Sequence, residues 1–483
     1  MNLIIVSQSL YVITIIAVCF VILYNTRSHN KSLAYMLLVI FIPILGVILY
    51  FMFGYNYHKL KMFSELPKQN KNLRDKINVK FNNHNEIADK HNADIKPSHR
   101  TLADFIFEGT SMPITDGNDI KLLVNGEAKF PEVHKLIKVA KHHIHMQYYI
   151  FNDDETAREI VDLLIEKAKK GIQIKFIYDD LGSRDIRDKI VPKMKDAGIS
   201  VQPFYEIKYM LLANRINYRN HRKIIVVDGK SAFVGGINVG NEYNNDIKAE
   251  KKVYWRDTHL IVKGPIVKYL QCIFLQDWKF CCVEDLLETD QYFPEDIIYT
   301  QDKKIQLAVS GPDTELPYIE YTMLRAIYSA RDSIMITTPY FIPGEPILDA
   351  IIAAQESGVN VSLLVPKESD SIVVNTAAKF YYTELIKHGV NVYLYDKGFV
   401  HAKSMVIDEA ISIVGSANMD IRSFDLNFEV NAVVYDQEFA KQMTDVFRDD
   451  MLHAEKIDKD KWMERSKLRQ LPEKVMRLVS PIL

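Results

Sequence analysis

The chain has 483 residues, a formal net charge of −2, 48% hydrophobic and 25% charged residues, and four cysteines. At about 100–200 residues per domain the length predicts two to four units, and the ordinary composition excludes a disordered or collagenous chain. The near-neutral charge argues against a protein whose main task is gripping a nucleic-acid backbone; Cys19, Cys272, Cys281 and Cys282 form no C-x-x-C pair, which excludes a disulfide framework and speaks against a thiolate zinc site.

The charge is unevenly spread. Residues 1–53 contain no Asp or Glu and only Arg27 and Lys31 as formal charges. Leu3 to Tyr24 and Leu33 to Phe53 each match the ~20 residues that carry a helix across ~30 Å of hydrocarbon. With the polar turn Asn25–Ser32 between them, they predict a transmembrane helical hairpin over residues 1–56. Pro43 and Gly46 fall inside the second span, where a membrane tolerates them better than water does. A cleaved signal peptide would need a basic start, a short apolar run and a small-residue cleavage site; here the start lacks Lys and Arg, the run is too long and a second span follows at once. A polar, basic linker follows over 57–100. Its His58, Lys59, Lys61, Lys68, Lys71, Arg74 and Lys76, set against Glu65 and Asp75, predict that both termini face the cytoplasm. The same segment would attract anionic head groups.

From about Thr101 the chain repeats itself at a period of roughly 180–190 residues, too long for a solenoid. His145–Phe151 pairs with Ile336–Ile342, each a short β-rich run. An amphipathic helix follows in each copy, Thr156 to Lys170 and Glu345 to Ser357, ending at Gly171 or Gly358 as a C-cap would. Next come the strands Ile172–Tyr178 and Val359–Val365, then a second helix ending at Gly198 or Gly389, then Ile199–Phe204 and Val390–Tyr395. Alternation of this kind predicts α/β units with mainly parallel sheets, in two similar domains fused in one chain.

Each copy then reaches the same residues. His221, Lys223, Asp228, Gly235 and Asn238 recur as His401, Lys403, Asp408, Gly415 and Asn418, in the pattern H-x-K-x4-D-x6-G-[GS]-x-N. In a strand, residues i and i+2 share a face, so each His and its Lys project together. Each Asp closes its strand before a turn, and Asn238 and Asn418 follow a Gly-containing turn that can bring an amide to the same place. Two imidazoles, two ammoniums and two amides around one anion suit phosphoryl-type transfer. One imidazole can attack phosphorus, and the other can shuttle the proton of the alcohol. His142, His143 and His145 look like a metal cluster, but no carboxylate partner is evident and His145 aligns with Ile336, so no metal is expected.

The doubled motif resembles the phospholipase D superfamily over roughly residues 101–483, and with the N-terminal hairpin the whole chain resembles the bacterial cardiolipin synthase family. Ile42–Tyr50 followed by Phe53-Gly54 resembles that family's anchor; Trp255-Arg-Asp257-Thr-His259 and Arg422–Glu429 resemble its catalytic halves. The resemblance implies an α/β fold of two phospholipase D-like domains, 101–300 and 301–483, with parallel or mixed sheets behind the transmembrane hairpin. It implies that Asp257 and Glu429 are the acids that orient the histidines; ordinary surface carboxylates are the alternative. It implies joining of two phosphatidylglycerol molecules into cardiolipin with release of glycerol. His221 would attack phosphorus and His401 would protonate the departing glycerol, or the reverse. Lys223, Lys403, Asn238 and Asn418 would hold phosphate oxygens. The implied setting is the bacterial cytoplasmic membrane, multi-pass, with the catalytic domains on the cytoplasmic side.

One phosphodiester is exchanged for another, so no nucleotide or other cofactor is expected, and no Walker-type loop is present. The expected partners are phosphatidylglycerol, other anionic lipids and the membrane, with no nucleic acid; oligomeric state is not legible. Competing readings are a lipid hydrolase with water as acceptor, a transferase using another alcohol, a nuclease, and an inactive scaffold. The chain runs 23 residues from Gly198 to His221 against 12 from Gly389 to His401. The extra apolar tip Tyr209–Ala213, beside Arg215, Arg219 and Arg222, suits a loop that touches the bilayer and admits anionic head groups, with an ordinary packed loop as the alternative. The helix around Val267–Val283 reads as core, and the stretch from Lys456 as a solvated helix, with a membrane-facing tail as its alternative.

Overall fold

Seven strands, built once, are built again in the same spatial order. A computed structural model describes residues 3–26, 29–51, 97–206, 218–248, 253–282, 290–294 and 298–479, with side chains from Ser9 onward in the first helix. In the first half the strands are β1 (Thr115–Val124), β2 (His143–Tyr148), β3 (Gln173–Asp179), β4 (Ser200–Phe204), β5 (Arg219–Asn220), β6 (Ile224–Val227), β7 (Ser231–Gly235), β8 (Tyr254–Arg256) and β9 (Thr258–Lys263). In the second they are β10 (Lys303–Ser310), β11 (Ser333–Thr337), β12 (Phe341–Ile342), β13 (Asn360–Pro366), β14 (Asn391–Tyr395), β15 (Gly398–Val400), β16 (Ser404–Ile407), β17 (Ile411–Gly415), β18 (Met419–Asp420), β19 (Asn427–Val434) and β20 (Ala454–Lys456). The order β4-β3-β2-β6-β7-β9-β1 in the first half is repeated as β14-β13-β11-β16-β17-β19-β10 in the second.

Each half is mixed rather than mainly parallel. Within the main sheet β2–β3–β4 and β11–β13–β14 run parallel, joined by helices as parallel neighbours require, and the short β5 adds in parallel to β19. The other neighbours along each half's order, β2–β6–β7–β9–β1 and β11–β16–β17–β19–β10, are antiparallel, while β8–β15 and β12–β18 are short parallel pairs. The halves are not separate globules. β1 pairs antiparallel with β10, at Thr115↔Ile305 and Asn118↔Lys303, so one continuous sheet runs through both.

The expected helices form within a residue of their predicted bounds, Glu155–Lys169 and Gly344–Glu356. Gly171 and Gly358 close them at φ +85° and +92°, a left-handed conformation that costs glycine no Cβ clash. The following amide turns back into the helix: Ile172 N donates to Lys167 O at 3.1 Å and Val359 N to Ala354 O at 3.1 Å. The register of the repeat differs by one residue from the sequence alignment. His145 faces Val226 and Met335 faces Val406, so Met335, not Ile336, is the counterpart of His145.

Asp228 and Asp408 stand at the far ends of β6 and β16 with φ +54° and +52°. The Asp228 carboxylate accepts the backbone N–H groups of Lys141, His142 and His143 at 2.8–3.0 Å. Asp408 accepts those of Arg331, Asp332 and Ser333, all at 2.8 Å. Each therefore latches its hairpin to the start of the neighbouring parallel strand, and a carboxylate so occupied is not free to act at a histidine several residues away.

The helices before residue 52 and the body from Pro97 onward are separate compact units. Leu3–Asn25 is one helix, but the second apolar segment is two, His29–Phe41 and Pro43–Leu49. Proline disfavours a helical conformation in the residue before it, and Ile42 leaves the helix at φ −134°, ψ 67°. Gly46 then lies against the Leu38–Val39 backbone, where a Cβ would overlap. The second apolar segment is thus interrupted at Ile42 and not one regular helix. Among the described residues no helix is long and apolar enough to cross a membrane. Val18, Ile22, Val39 and Tyr50 form the core of this unit. The expected linker lies outside the described residues except for 97–100, which begin the helix Pro97–Thr110.

The carboxylate latches are testable. Asp228→Ala or Asp408→Ala removes an acceptor from three amides and should destabilise the protein by about 1–3 kcal/mol, read as a lower thermal unfolding midpoint. Asn at either position, which keeps one acceptor oxygen, should lower it less.

Candidate active site

Each motif histidine is held by the opposite half of the chain. β5, just before His221, pairs parallel with the start of β19 at Asn427↔Arg219 and Phe428↔Asn220. β15, just before His401, pairs parallel with β8 from Gly398↔Tyr254 to Val400↔Arg256. His221 N donates to Phe428 O at 3.0 Å, and His401 N to Arg256 O at 2.6 Å. The residue after each of those carbonyls is an acid. His221 Nδ1 lies 2.9 Å from Glu429 Oε1, and His401 Nδ1 lies 2.6 Å from Asp257 Oδ2. Both acids are fully buried, whereas each histidine keeps 7% exposure. With Nδ1 directed at a carboxylate, the ring donates there and leaves Nε2 as the lone-pair nitrogen.

The position after the motif glycine explains why one copy carries Gly and the other Ser. At Gly236 a Cβ would overlap Asp257 Oδ1. In the second half Ser416 stands there and its hydroxyl donates to Glu429 Oε2 at 2.5 Å. Asn427 Nδ2 adds a bond to Glu429 Oε1 at 3.2 Å. One turn makes room for its acid and the other grips it.

The lysines lie within the same buried cluster. His221, Lys223, His401 and Lys403 are all in the extended segment just ahead of β6 or β16, not inside the strand. Lys223 Nζ donates to His221 O at 2.6 Å, and Lys403 Nζ reaches both His401 O and, at 2.8 Å, His401 Nδ1. Burial lowers both imidazoles to about 4, against the opposing pull of Glu429 and Asp257. Burial lowers Lys223 to about 7 and Lys403 to about 8, each again opposed by the two carboxylates. For Asp257 burial acts upward, but Lys403 and His401 outweigh it and hold the carboxyl below its ordinary value; His221 and Lys223 do the same for Glu429. The Lys403 charge acts on His221 and the Lys223 charge on His401, so the two motifs form one electrostatic site. It offers neutral imidazoles and cations that an arriving phosphate would bring back to full charge.

Several expected residues serve elsewhere. Asn238 Nδ2 donates to Tyr243 OH at 3.3 Å, and its Oδ1 accepts from Ile150 N at 3.3 Å. The Asn418 side chain hydrogen-bonds Asp420. Each amide is thus held within its own turn. Arg219 and Arg222, expected at the bilayer, are 1% and 3% exposed. Arg219 NH1 lies 3.2 Å from Asp179, and Arg222 NH1 forks onto Asp277 at 2.6 and 2.8 Å. A buried guanidinium needs such partners, since an unpaired buried charge is strongly destabilising. Arg215 and the apolar tip 209–213 lie outside the described residues. Two ring nitrogens of the histidine triplet are held by one glutamine: His143 Nε2 by Gln271 Oε1 at 3.0 Å and His145 Nδ1 by Gln271 Nε2 at 2.7 Å. Among the described residues no group of three His, Cys, Asp or Glu is arranged around a metal position.

Sequence reasoning missed the walls of the site. The Tyr149 ring lies 4.8 Å from the His221 ring, and Trp255 and Phe399 lie 5.1 and 5.8 Å from that of His401. His259 Nδ1 accepts Ile237 N at 3.3 Å, and Asn431 Oδ1 accepts Ala417 N at 3.3 Å in the equivalent place. Lys129, buried, donates to Ile237 O at 2.7 Å. Arg422 is half-buried and has no ion pair among the described residues; its charge acts on Tyr149 and Asp420. No motif marked these positions; only Trp255, His259 and Arg422 lie within stretches that carried the resemblance.

The fold and the doubled His–Lys site define a phospholipase D-like protein. A family profile described as "Cardiolipin synthase, PLD-like domain" matches residues 133–278 and 323–451, and one described as "Phospholipase_D-nuclease N-terminal" matches 12–54. The cardiolipin synthase of Geobacillus sp. is 37% identical over 97% of this chain and 92% of its own. The major cardiolipin synthase of Bacillus subtilis is 36% identical over 98% of each. The crystal structure of phosphatidylserine synthase from Haemophilus influenzae shares the fold, with a TM-score of 0.58 at 15% identity over 79% of this chain and all of that one. The chain belongs to the cardiolipin synthase family.

The imidazoles give the protein a pH-dependent stability. Their folded values, about 4, lie below the ordinary 6.5, so between those values the unfolded chain binds more protons. The stability they contribute is fully present above 6.5 and is lost as pH falls towards 4. The thermal unfolding midpoint should drop through this window, and the drop should shrink in the double variant His221→Gln, His401→Gln.

Proposed function

We propose that the chain is a membrane phosphatidyltransferase that condenses two phosphatidylglycerol molecules into cardiolipin and glycerol through a phosphatidyl-histidine intermediate. The observation that carries the reading is the pair of buried carboxylate–imidazole contacts made across the two halves, with a lysine beside each histidine. His221 Nε2 attacks the phosphorus of one phosphatidylglycerol, the P–O bond to glycerol breaks, and His401, protonated at Nε2 once the anionic phosphodiester is bound, gives that proton to the departing oxygen. The terminal hydroxyl of a second phosphatidylglycerol then returns a proton to His401 as its oxygen attacks phosphorus and the P–N bond breaks. Bonds and protons balance, and one phosphodiester replaces another. Lys223 and Lys403 hold the non-bridging oxygens, where charge accumulates in the transition state. Glu429 and Asp257 fix the ring orientations and stabilise the imidazolium form when it arises. Arg422, which has no ion pair among the described residues, faces the head group. Asp228 and Asp408 act through the hairpins alone.

The helices before residue 52 anchor the enzyme in the bilayer. Support comes from Leu10, Ile13, Phe20, Phe41 and Ile44, all apolar and all at least half exposed, and from the match of residues 12–54 to an N-terminal domain profile. The basic residues that follow in the sequence support a catalytic body on the cytoplasmic side of a bacterial membrane.

Purified protein in phosphatidylglycerol vesicles, without nucleotide, should yield cardiolipin and glycerol in equal amounts. Phosphatidic acid without cardiolipin would make water the acceptor and the chain a lipase. Glu429→Gln and Asp257→Asn should each lower kcat by on the order of 10²–10⁴-fold. With His401→Ala, mass spectrometry of acid-protected peptides should find the phosphatidyl group on His221. An adduct on His401 in His221→Ala would exchange the two roles.

A further inference from the structure

The helix Lys467–Val479 wears its apolar face on the outside. It packs on the helix Ile372–Lys387, but through polar groups. Glu473 is 6% exposed and accepts from Arg465 NH1 at 2.7 Å, while Arg465 NH2 donates to Thr383 Oγ1 at 3.1 Å. The Arg477 guanidinium lies 4.4 Å over the Phe380 ring. Leu468, Leu471, Val475 and Leu478 are 82%, 55%, 49% and 78% exposed. At about 100° per residue these four share an arc of about 80°, and Glu473 lies nearly opposite its centre. A helix on a globular protein turns its apolar stripe inward; here the stripe points away from the body.

The charges around the stripe are of one sign. Lys467 and Lys474 border it, and Arg469 and Arg477 lie further round, while the helix's only acid, Glu473, is buried and paired. An outward apolar stripe bordered by Lys and Arg is the pattern of a helix that lies in a bilayer interface, with its stripe among acyl chains and its cations among anionic head groups. We infer that Lys467–Val479 is an interfacial helix that docks the catalytic body onto an anionic lipid surface. The inference goes beyond the reaction proposed above and does not depend on it. It says which face of the body meets lipid, whatever the acceptor.

The test uses the full chain, reconstituted in vesicles of phosphatidylcholine alone or with phosphatidylglycerol added. p-Benzoylphenylalanine replaces Leu471 or Leu478, and in a control Leu452, which is 80% exposed at the end of another helix. Irradiation of the Leu471 and Leu478 probes should crosslink lipid several-fold above the control, more strongly with phosphatidylglycerol present. Lys467→Gln with Lys474→Gln should reduce that gain. In activity assays on the same vesicles, Leu471→Ser with Leu478→Ser should raise KM for vesicle lipid several-fold and leave kcat unchanged. Crosslinking to a second copy of the chain, or to lipid no better than the control, would overturn the docking role. A protein that makes no cardiolipin yet crosslinks lipid at 471 would overturn only the reaction.

Discussion

The contact on which the rest depends is the exchange of acids between the halves. An imidazole can serve as nucleophile or proton carrier only if its tautomer is set, and here a carboxylate from the other half sets it. The backbone is tied by the same device, since each histidine amide donates to the carbonyl just before the opposing acid. Neither half can orient its own histidine. The continuous sheet through β1 and β10 follows as the framework that keeps two such exchanges in register.

That exchange also balances the site electrostatically. Two buried lysines face two buried carboxylates while the imidazoles are neutral, so the interior carries little net charge before an anion arrives. Burial pulls the lysines down to about 7 and 8, within reach of full protonation when a phosphate displaces solvent. The site is thus affordable to fold and still able to concentrate positive charge on a phosphodiester.

The two halves reach one geometry with different residues. Glycine at 236 yields space to Asp257, and serine at 416 donates to the longer Glu429. His259 and Asn431 accept the same turn amide in their respective copies. Such substitutions break the symmetry of a repeat that must host two unequal events, departure of one alcohol and entry of another.

Local chemistry was legible from the residues in order. Hydrophobic runs and glycine caps placed strands and helices within a residue or so, because the left-handed C-cap and the period of the apolar pattern are properties of the chain itself. The doubled His–Lys spacing marked the site for the same reason. What the residues could not show was which half each side chain serves. The crossing of Asp257 and Glu429, the latching by Asp228 and Asp408, the burial of Arg219 and Arg222 against Asp179 and Asp277, and the outward stripe at Leu468–Leu478 depend on partners distant in sequence or on the face a helix is given. A spacing pattern specifies the chemistry of a segment; only packing decides what that chemistry meets, because a charge or an apolar face is defined energetically by whatever removes it from water.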